Sequence, residues 1–414
     1  MPTDPARIPA AGFAALDLLA GDLDGLGIAL SGGGDSVALM YLVAEWAQAR
    51  GKRVAAATVD HGLREASGAE AVAAGDAARA LGLDHAILHW DDAGTGTGNL
   101  MDRARRARLR LLGDWARAQG QPAVVLGHNR DDIAETFLMR AARGAGLDGL
   151  AAMSPRRMAD GMLWLRPLLD FGRAELRLWL AGRGIGWIDE PSNENPRFAR
   201  ARIRRAMADL GLDPTALARS ASHLAQARDA LNAGLGPVIG GMRAHLGSLR
   251  IGRADWAALP PEQRRRVILA GVAFVTGRDY PPRAPGSDHA LAGLAAGRRV
   301  TLDGAVLDPG PDLLIHREAA AAARAPAAGP VWDNRWQISG LAPGDRLRPL
   351  GADVARFDWR GAGLTHLEAQ ALPGVERGPA LLCPVLAPHD GLAARALRDK
   401  ITWVESRLGI EPRP

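Results

Sequence analysis

Short hydrophobic runs alternate with longer amphipathic stretches up to about residue 190. Short apolar runs predict buried strands, whereas apolar positions that recur every three or four residues predict helices. The predicted strands are residues 27–30, 54–59, 85–90, 123–126 and 162–165. The predicted helices are residues 36–50, 68–81, 100–119, 130–143 and 172–182. This alternation predicts an α/β fold with a doubly wound parallel sheet.

The pattern changes after this region. A basic, strand-poor segment covers residues 195–209, and residues 211–318 are rich in alanine and predicted to be mostly helical. Alanine and proline at 317–332 predict a linker, and short apolar runs broken by glycine and proline follow it. We therefore predict three domains: an α/β domain at 1–210, a helical domain at 211–320, and a small mixed α/β or β domain at 330–414.

Composition narrows the class of protein. With 414 residues, of which 47% are hydrophobic, the chain is long enough for two or three globular cores. Cys383 is the only cysteine, which excludes an intrachain disulfide, a Cys-x-x-Cys redox pair and a multi-cysteine metal site. No apolar run reaches the roughly 20 residues that span a membrane. These features predict a cytoplasmic protein without a membrane partner, and a homodimer is compatible with them.

Positive charge is carried almost entirely by arginine. The formal net charge is +5, and the lysines are Lys52 and Lys400. Arginine binds phosphate through a planar, bidentate fork, so this bias is compatible with a polyanionic partner. A GC-rich genome produces the same bias, so composition leaves both explanations open.

Residues 29–40 read ALSGGGDSVALM and place three glycines between a predicted strand and a predicted helix. Glycines at this point allow a tight turn whose backbone N–H groups, together with the helix dipole, attract a phosphate. The loop lacks the lysine of a Walker motif and carries Asp35 instead, and a carboxylate beside a phosphate suits Mg²⁺. The alternative is a glycine-rich turn in which Asp35 and Ser36 only cap the helix.

A second polar segment, GHNRDDIAETFLMR, follows the fourth predicted strand. His128, Asp132 and Glu135 are separated by four and three residues and therefore share one helix face. Two carboxylates on the first turns of a helix are suited to binding an ammonium group. An equally weighted alternative is that Asn129 and Asp132 cap the helix, where acidic residues are favoured in any case.

Ser-Gly-Gly-x-Asp-Ser after a first strand resembles the loop of the N-type ATP pyrophosphatases (the PP-loop superfamily), which cleave ATP between its α and β phosphates. Further motifs occur in the order and spacing seen in tRNA(Ile)-lysidine synthetases. They are VDHGLR (59–64), ARRAR (104–108), GHNRDDIAETFLMR (127–140), RGAGLDGLAAM (143–153), RPLL (166–169) and PSNENPRFARARIR (191–204). The resemblance covers residues 24–205 and, more loosely, 298–307. That family uses ATP to join the side-chain amine of free lysine to C2 of the first anticodon cytidine of an isoleucine tRNA.

The resemblance implies roles for individual residues. It implies ATP binding by Ser31, Gly32, Gly33, Gly34, Asp35, Ser36, His61, Arg105, His128, Arg143 and Gly144. It implies lysine binding by Asp132, Glu135 and Arg200, and tRNA binding by Arg197, Arg200, Arg202, Arg204 and Arg205. Asp35, as the Mg²⁺ ligand, and Asp132 and Glu135 are the implied catalytic residues. The second and third domains are implied to contact tRNA.

Each of these roles has a structural alternative. Arg105 and the arginines between 197 and 205 are also typical of solvated helix faces, and Gly144 is typical of a turn that ends a helix. The sequence departs from the family pattern at Glu190 and Ala201. Roles transferred to these two positions are therefore open.

The implied reaction has two steps. The cytidine C2 oxygen attacks the α-phosphorus of ATP and releases diphosphate, and the lysine amine then attacks C2 and displaces AMP. An unperturbed lysine has a pKa of about 10.4, so either Asp132 or Glu135 is expected to accept its proton. Alternatives are another tRNA-modifying or amide-forming ligase of the PP-loop superfamily, or a catalytically silent tRNA-binding protein.

Overall fold

The structure, a computed structural model, describes residues 5–63, 66–91, 100–189, 199–278, 281–327, 329–398 and 401–409. The chain divides into two compact units, Met1–Arg228 and Asp229–Pro414. The division into three functional domains stays a prediction. Within the described residues, no helix combines the length and the apolar character needed to cross a membrane.

The first unit is built on a six-stranded sheet with the order β3-β2-β1-β4-β6-β5. Its strands are β1 (Gly25–Ala29), β2 (Arg53–Asp60), β3 (Asp84–His89), β4 (Ala123–Val125), β5 (Arg156–Ala159) and β6 (Met162–Leu165). Paired strands are parallel except at one edge, where β5 runs antiparallel to β6. All residues of β1, β4 and β6 are buried, as expected for strands covered on both faces. The predicted doubly wound sheet is confirmed.

Helices that begin in this unit pack against the sheet or against one another, and the last of them continues into the second unit. They are α1 (Ile8–Ala20), α2 (Gly34–Arg50), α3 (Ser67–Ala80), α4 (Leu100–Ala118), α5 (Arg130–Ala141), α6 (Leu147–Leu150), α7 (Arg173–Ala181), α8 (Ala199–Asp209) and α9 (Pro214–Ala233). One core joins α1, α2 and α7 through Leu16, Trp46 and Trp179. A second core packs Leu112 and Trp115 of α4 against strand residues. Each predicted helix and strand of this region is present within two residues of its expected bounds.

The sheet reverses its strand order at β1. The strand pairs with β2 on one side and with β4 on the other, so that the chain winds first one way and then the other. In open α/β sheets, ligands bind outside the carboxyl ends of the strands at this switch point. The chain leaves β1 through the glycine loop into α2, and it leaves β4 through residues 126–129 into α5. The two most distinctive sequence motifs therefore meet at the place where the fold favours a ligand.

The second unit contains two hydrophobic cores. The first is formed by helices and by a five-stranded antiparallel sheet with the order β7-β8-β11-β10-β9. The helices are α10 (Gly236–Gly241), α11 (Arg253–Ala258), α12 (Pro261–Thr276), α13 (Ala284–Ala295) and α16 (Thr402–Leu408). The strands are β7 (Arg243–His245), β8 (Ser248–Gly252), β9 (Val300–Leu302), β10 (Ala305–Pro309) and β11 (Asp312–Arg317). The helices agree with the mostly helical structure predicted for residues 211–318, whereas the five-stranded sheet was not predicted.

The second core of this unit is formed by two three-stranded sheets and short helices. One contains β12 (Val331–Trp332), β13 (Trp336–Ser339) and β17 (Ala393–Ala396), and the other contains β14 (Arg346–Pro349), β15 (Pro373–Arg377) and β16 (Ala380–Leu382). Two short helices accompany them, α14 (Ala319–Ala322) and α15 (His366–Gln370). Trp332, Trp336 and Cys383 are buried together in this core. Burial raises the pKa of the Cys383 thiol. The predicted small mixed or β module is therefore present.

Candidate active site

The loop between β1 and α2 has the geometry of an anion-binding turn. Gly32 has a φ of +80°, and a Cβ there would lie 2.8 Å from Cδ1 of Ile188, so the position requires glycine. The Ser36 hydroxyl accepts hydrogen bonds from the backbone N–H of Ser31 at 3.1 Å and from its hydroxyl at 3.0 Å. It donates to the Gly33 carbonyl at 2.9 Å. Ser36 therefore fixes the shape of the loop at the start of α2, where backbone N–H groups lack intrahelical acceptors.

Asp35 lies in the first turn of α2. Its Oδ2 accepts a hydrogen bond from Nε of Arg173 at 3.3 Å. Its Oδ1 is buried and makes no hydrogen bond of normal geometry among the described residues, although the Asn129 side chain is close enough to lower the pKa of the carboxyl. Burial raises the pKa of Asp35 against the opposing charge of Arg173, and the charge of Asp132 raises it further. An unpartnered carboxylate oxygen beside an anion-binding loop fits a ligand of Mg²⁺, which keeps several waters and also contacts phosphate.

A metal site built from protein side chains alone is not found among the described residues. The described part of the chain contains no group of three or more His, Cys, Asp or Glu side chains that could hold a metal ion. This finding is compatible with the limited protein ligation that Mg²⁺ needs when a substrate phosphate supplies other oxygens.

The start of α5 carries the two other predicted site carboxylates. Asn129 caps this helix: its side chain accepts a hydrogen bond from the Asp132 backbone N–H at 3.0 Å, and Oδ2 of Asp132 accepts one from the Asn129 backbone N–H at 3.1 Å. The capping alternative for Asn129 and Asp132 is therefore confirmed. The cap uses only one carboxylate oxygen, and Oδ1 of Asp132 faces the same side as Glu135, one turn further along.

Arg173, at the start of α7, connects all three carboxylates. Its Nε donates to Asp35, its Nη1 donates to Oε1 of Glu135 at 2.9 Å, and its Nη2 donates to Oδ1 of Asp132 at 3.2 Å. Its backbone N–H donates to Oδ2 of Asp131 at 2.9 Å. Burial alone would lower the pKa of Arg173, but the carboxylates of Glu135, Asp35 and Asp132 raise it above its usual range. Arg173 is absent from the sequence-based predictions because a lone arginine in DFGRAEL carries no recognisable pattern.

Helix α8 adds two further arginines to this cluster. Arg204 donates from Nε to Oε1 of Glu135 at 2.6 Å and from Nη2 to Oε2 at 3.4 Å. Arg200 lies 4.0 Å from both Asp132 and Glu135. The Glu135 side chain is only 1% exposed, so its charge is compensated almost entirely by these arginines. We refer below to Asp35, Asp132, Glu135, Arg173, Arg200 and Arg204 as the carboxylate cluster.

His128 lies between β4 and the helix cap Asn129, so the prediction that it shares a helix face with Asp132 and Glu135 is wrong. Several arginines act on it, and one of them, Arg200, belongs to the carboxylate cluster. Burial lowers the pKa of His128 well below 6.5, and the charges of Arg166, Arg108, Arg105 and Arg200 lower it further. Burial also lowers the pKa of Arg166 to about 10. Nδ1 of His128 and Nε of Arg166 are buried without hydrogen-bond partners among the described residues. A neutral imidazole among clustered arginines makes this edge of the site attractive to an anion.

The other predicted nucleotide-binding residues include one that follows β2 and two that follow α5. His61 follows β2 and packs edge-on against Trp90, with ring centroids 5.8 Å apart. Arg143 and Gly144 form an exposed turn after α5. In this turn the Gly144 N–H donates to the Ala141 carbonyl at 2.9 Å, and Gly144 has a φ of +69°. The turn therefore ends the helix, and contact with a nucleotide stays a prediction there.

The predicted tRNA-binding arginines divide into two sets on α8. Arg202 and Arg205 are exposed, whereas Arg200 and Arg204 are partly buried at the carboxylate cluster. Arg197 and Glu190 lie outside the described residues. Ala201 is partly buried within the helix. The helix therefore presents one arginine face to the carboxylates and another to solvent.

A family model and several curated relatives point to the same protein family. A family model described as a PP-loop domain matches residues 18–210. The tRNA(Ile)-lysidine synthase of Ruegeria pomeroyi is 42% identical over 377 residues, which cover 89% of this chain and 89% of that protein. The tRNA(Ile)-lysidine synthase of Brucella anthropi is 38% identical and covers 80% of this chain and 77% of that protein.

Similarity to solved structures is weaker. The U34-tRNA thiolase NcsA from Methanococcus maripaludis with its [4Fe-4S] cluster is 19% identical, with a TM-score of 0.44, over 53% of this chain and 78% of that chain. Similarity at this level carries no argument about function. The family model and the long alignments to curated relatives show the family. The glycine loop at the switch point of the sheet lies within the residues that the family model matches. The chain therefore belongs to the tRNA(Ile)-lysidine synthase family of PP-loop ligases.

Proposed function

We propose that this chain joins free L-lysine to C2 of the wobble cytidine in the CAU anticodon of tRNA(Ile), forming lysidine. ATP is cleaved to AMP and diphosphate, and the cytidine is adenylated before lysine reacts. The modified anticodon then specifies isoleucine instead of methionine. The observation that carries this proposal is that the glycine loop, Asp35 and the α5 carboxylates converge at the switch point of the sheet.

The first step requires ATP to be held with its α-phosphorus exposed to the cytidine oxygen. The N–H groups of the loop from Ser31 to Ser36 and the start of α2 bind the phosphates, and Oδ1 of Asp35 is the proposed Mg²⁺ ligand. Bound there, the ion would neutralise negative charge on the phosphates. His61, His128, Arg105, Arg143 and Gly144 complete the proposed nucleotide site. Correct placement and charge neutralisation are the main contributions to such a transfer.

The second step requires the lysine ε-amine at C2. Asp132 and Glu135 bind this amine in the proposal, and Arg200 completes the lysine site. The supporting observation is that Oδ1 of Asp132 and Oε1 of Glu135 already face one shared cationic side chain, Arg173. Either carboxylate can accept the proton that the amine loses before it attacks.

The RNA is bound through its backbone and its anticodon loop. Arg202 and Arg205 on the exposed face of α8, together with Arg197, are proposed to contact phosphates, which adds affinity without reading sequence. The unpaired base of an anticodon loop is turned into a pocket more easily than a paired base. We further propose that the 211–320 and 330–414 regions contact the same tRNA.

The decisive experiment supplies ATP, labelled lysine and unmodified tRNA transcripts, followed by nuclease digestion to locate the label. We expect label on one anticodon cytidine of tRNA(Ile), with AMP and diphosphate as coproducts, and loss of label in Asp35→Ala. Release of ADP and phosphate would contradict the proposal. A protein that binds tRNA but releases no AMP would instead be catalytically silent.

The glycine loop allows a sharper test of ATP binding. Gly33 has a φ of −72°, and a Cβ there would meet nothing closer than 3.8 Å, so the free protein tolerates alanine at this position. We expect Gly33→Ala to keep the wild-type melting temperature and to raise KM for ATP, because a ligand approaches the backbone there. Gly32→Ala is the control in which the fold itself is strained. An unchanged KM for ATP in Gly33→Ala would remove this part of the loop from the phosphate site.

A further inference from the structure

Arg173 uses every nitrogen of its guanidinium group on the carboxylate cluster. Nε, Nη1 and Nη2 each donate to a different carboxylate, on Asp35, Glu135 and Asp132 respectively. The side chain is 18% exposed, so these bonds lie largely out of water and are stronger than they would be at the surface. One side chain therefore occupies, at the same time, the proposed metal ligand and both proposed lysine ligands.

Arg173 holds one oxygen of each proposed lysine ligand, Oδ1 of Asp132 and Oε1 of Glu135. Oδ2 of Asp132 is committed to the helix cap, which leaves Oδ1, the Arg173 partner. Oε1 of Glu135 accepts from both Arg173 and Arg204 and so has both of its lone pairs in use. An ammonium group carries three donors and no acceptor, and it cannot bond to Arg173 or Arg204 themselves. A lysine amine can take the place between Oδ1 of Asp132 and Oε1 of Glu135 only if the Arg173 guanidinium leaves it.

Charge points to Arg173 as the group that leaves. The three carboxylates carry three negative charges, and three positive charges face them: Arg173 and Arg204 in direct contact, and Arg200 at 4.0 Å. Removing Arg173 leaves an excess of one negative charge, and one substrate cation restores the balance. Arg204 contacts only Glu135 within this set, so its departure would leave Asp132 occupied.

Displacement of Arg173 needs no movement of the backbone. Its backbone N–H is anchored on Asp131 at 2.9 Å, at the capped start of α7. Rotation about the side-chain bonds of Arg173 moves the guanidinium without breaking this backbone anchor, and such rotations are fast compared with domain movements.

We propose that Arg173 occupies, in the free protein, the cation position that the lysine ε-ammonium takes at Asp132 and Glu135, and that lysine binds by displacing its guanidinium. The inference rests on the proposed function, because it takes lysine as the amine substrate. Arg173 is thus a positioning residue that holds the three carboxylate side chains in place and also competes with the substrate. A competitor built into the site weakens the apparent affinity by the fraction of time that it is bound.

The test is the binding of L-lysine to the full chain, measured by titration calorimetry and by KM. We expect Arg173→Gln to tighten lysine binding and to lower KM for lysine roughly tenfold, because the internal competitor is gone. We expect kcat to fall at the same time, since the carboxylates lose a positioning partner. Lysine affinity that is unchanged or weakened, in a variant that unfolds at the wild-type temperature, would overturn the inference and leave Arg173 as a structural clamp.

Arg7→Gln is the matched control. Arg7 also binds a buried carboxylate of α7, Glu175, through Nε at 2.5 Å and Nη2 at 3.1 Å, but it makes no hydrogen bond to the carboxylate cluster among those of the described residues. If loosening α7 were the cause of tighter lysine binding, Arg7→Gln would show the same effect. We expect lysine affinity in Arg7→Gln to remain at the wild-type value.

A second measurement covers the case in which Arg173→Gln does not fold. In wild-type protein with ¹⁵N-labelled arginine, the Arg173 Nε signal, assigned through its loss in Arg173→Lys, should shift when L-lysine is added. A signal that stays in place at saturating lysine overturns the displacement. Asp132→Asn and Glu135→Gln separate the two proposals: if neither weakens lysine binding, the proposed lysine site itself is wrong.

Discussion

Each unit of the protein contains a buried ion network, and the two networks are built on opposite principles. In the first unit, the cation Arg173 faces three carboxylates. In the second unit, the carboxylate of Asp333 faces two arginines. Arg317 binds it through Nη2 at 2.6 Å and Nε at 2.8 Å, and Nε of Arg335 lies 3.0 Å from its Oδ2.

The networks also differ in how far their side chains are shielded from water. In the second unit, Arg317 also bonds to the Gly304 carbonyl at 2.8 Å and Arg335 to the Ala371 carbonyl at 2.9 Å, whereas Nε of Arg335 makes no hydrogen bond of normal geometry among the described residues. All three side chains of this network are 5–7% exposed. In the first unit, Asp35 is 26% exposed and keeps a buried oxygen without a hydrogen-bond partner in the described structure.

This difference separates a structural role from a functional one. A sealed network, whose charges are paired and almost completely shielded from water, stabilises the fold and leaves little room for a ligand. The first network is more open to solvent and lies beside the glycine loop, and burial raises the pKa of its Asp35; perturbed pKa values of this kind are common at functional sites. Burial shifts pKa values in both: it raises the pKa of Asp35 and lowers that of Arg335 to about 10.

The largest effect is expected from removing the charge at the centre of the sealed network. Asp333→Asn leaves Arg317 and Arg335 buried without a counter-ion, and breaking a buried pair in this way typically lowers stability by about 3–5 kcal/mol. Asparagine tolerates the positive φ of 51° found at this position, so the backbone does not confuse the result. Urea denaturation of the full chain measures the loss.

The control for this prediction is an exposed ion pair in the same unit. Arg243 and Asp312 pair at 2.7 Å, with side chains that are 69% and 33% exposed. Asp312→Asn is expected to lower stability by less than about 1 kcal/mol. If Asp333→Asn costs no more than this control, the sealed network does not have the structural role assigned to it.

The open network should respond in the opposite way. Asp35→Asn is expected to reduce AMP formation roughly a hundredfold or more, because the proposed metal ligand is lost. Its free energy of unfolding at neutral pH should equal or exceed that of the wild type, because an ionised buried carboxylate and its repulsion with Asp132 are removed. Parallel activity assays and urea denaturation measure the two effects.

The pH dependence of this variant has a defined sign. The pKa of Asp35 is higher in the folded protein than in the unfolded chain, so its contribution to stability is present at low pH and lost as the pH rises through the folded pKa. The stability advantage of Asp35→Asn should therefore shrink as the pH falls. An advantage that grows on acidification would show that burial does not govern the pKa of Asp35.

The sequence predicts most of the α/β core because its signals are local. Apolar runs and helical spacing reproduce the strands and helices, and the glycine loop and Asp35 stand directly after β1. Because the carboxyl ends of parallel strands share one edge, topology alone brings Asp35 close to Asp132 and Glu135. Arg173 could not be found in this way, since only the packing of α7 beside α2 and α5 makes one arginine reach three carboxylates.

Several strands were within reach of the sequence but were not predicted. Asp160-Gly161 joins β5 to β6 and Asp303-Gly304 joins β9 to β10, with positive φ angles of 52°, 69°, 50° and 86°. Asp-Gly is a strong signal for a two-residue hairpin turn with these angles. Leu246-Gly247, which joins β7 to β8, has angles of the same kind, 44° and 79°, without that signal. The antiparallel sheet of the second unit was therefore only partly predictable, because short strands have weak periodicity.

The smallest expected effect is a difference in how the pKa values of two histidines, one from each unit, respond to ATP. Burial lowers the pKa of both His128 and His316 from 6.5, and His128 is further lowered by the charges of Arg166, Arg108 and other arginines. Proton NMR titration, with His128→Gln and His316→Gln for assignment, should therefore give midpoints below 6.5 for both. If ATP binds beside the first-unit arginines, its negative charge offsets theirs, so the pKa of His128 should rise on adding ATP while that of His316 stays unchanged. Equal responses of the two histidines would show that these arginines do not face the nucleotide, and the anion-attracting edge of the site would have to be assigned to another ligand.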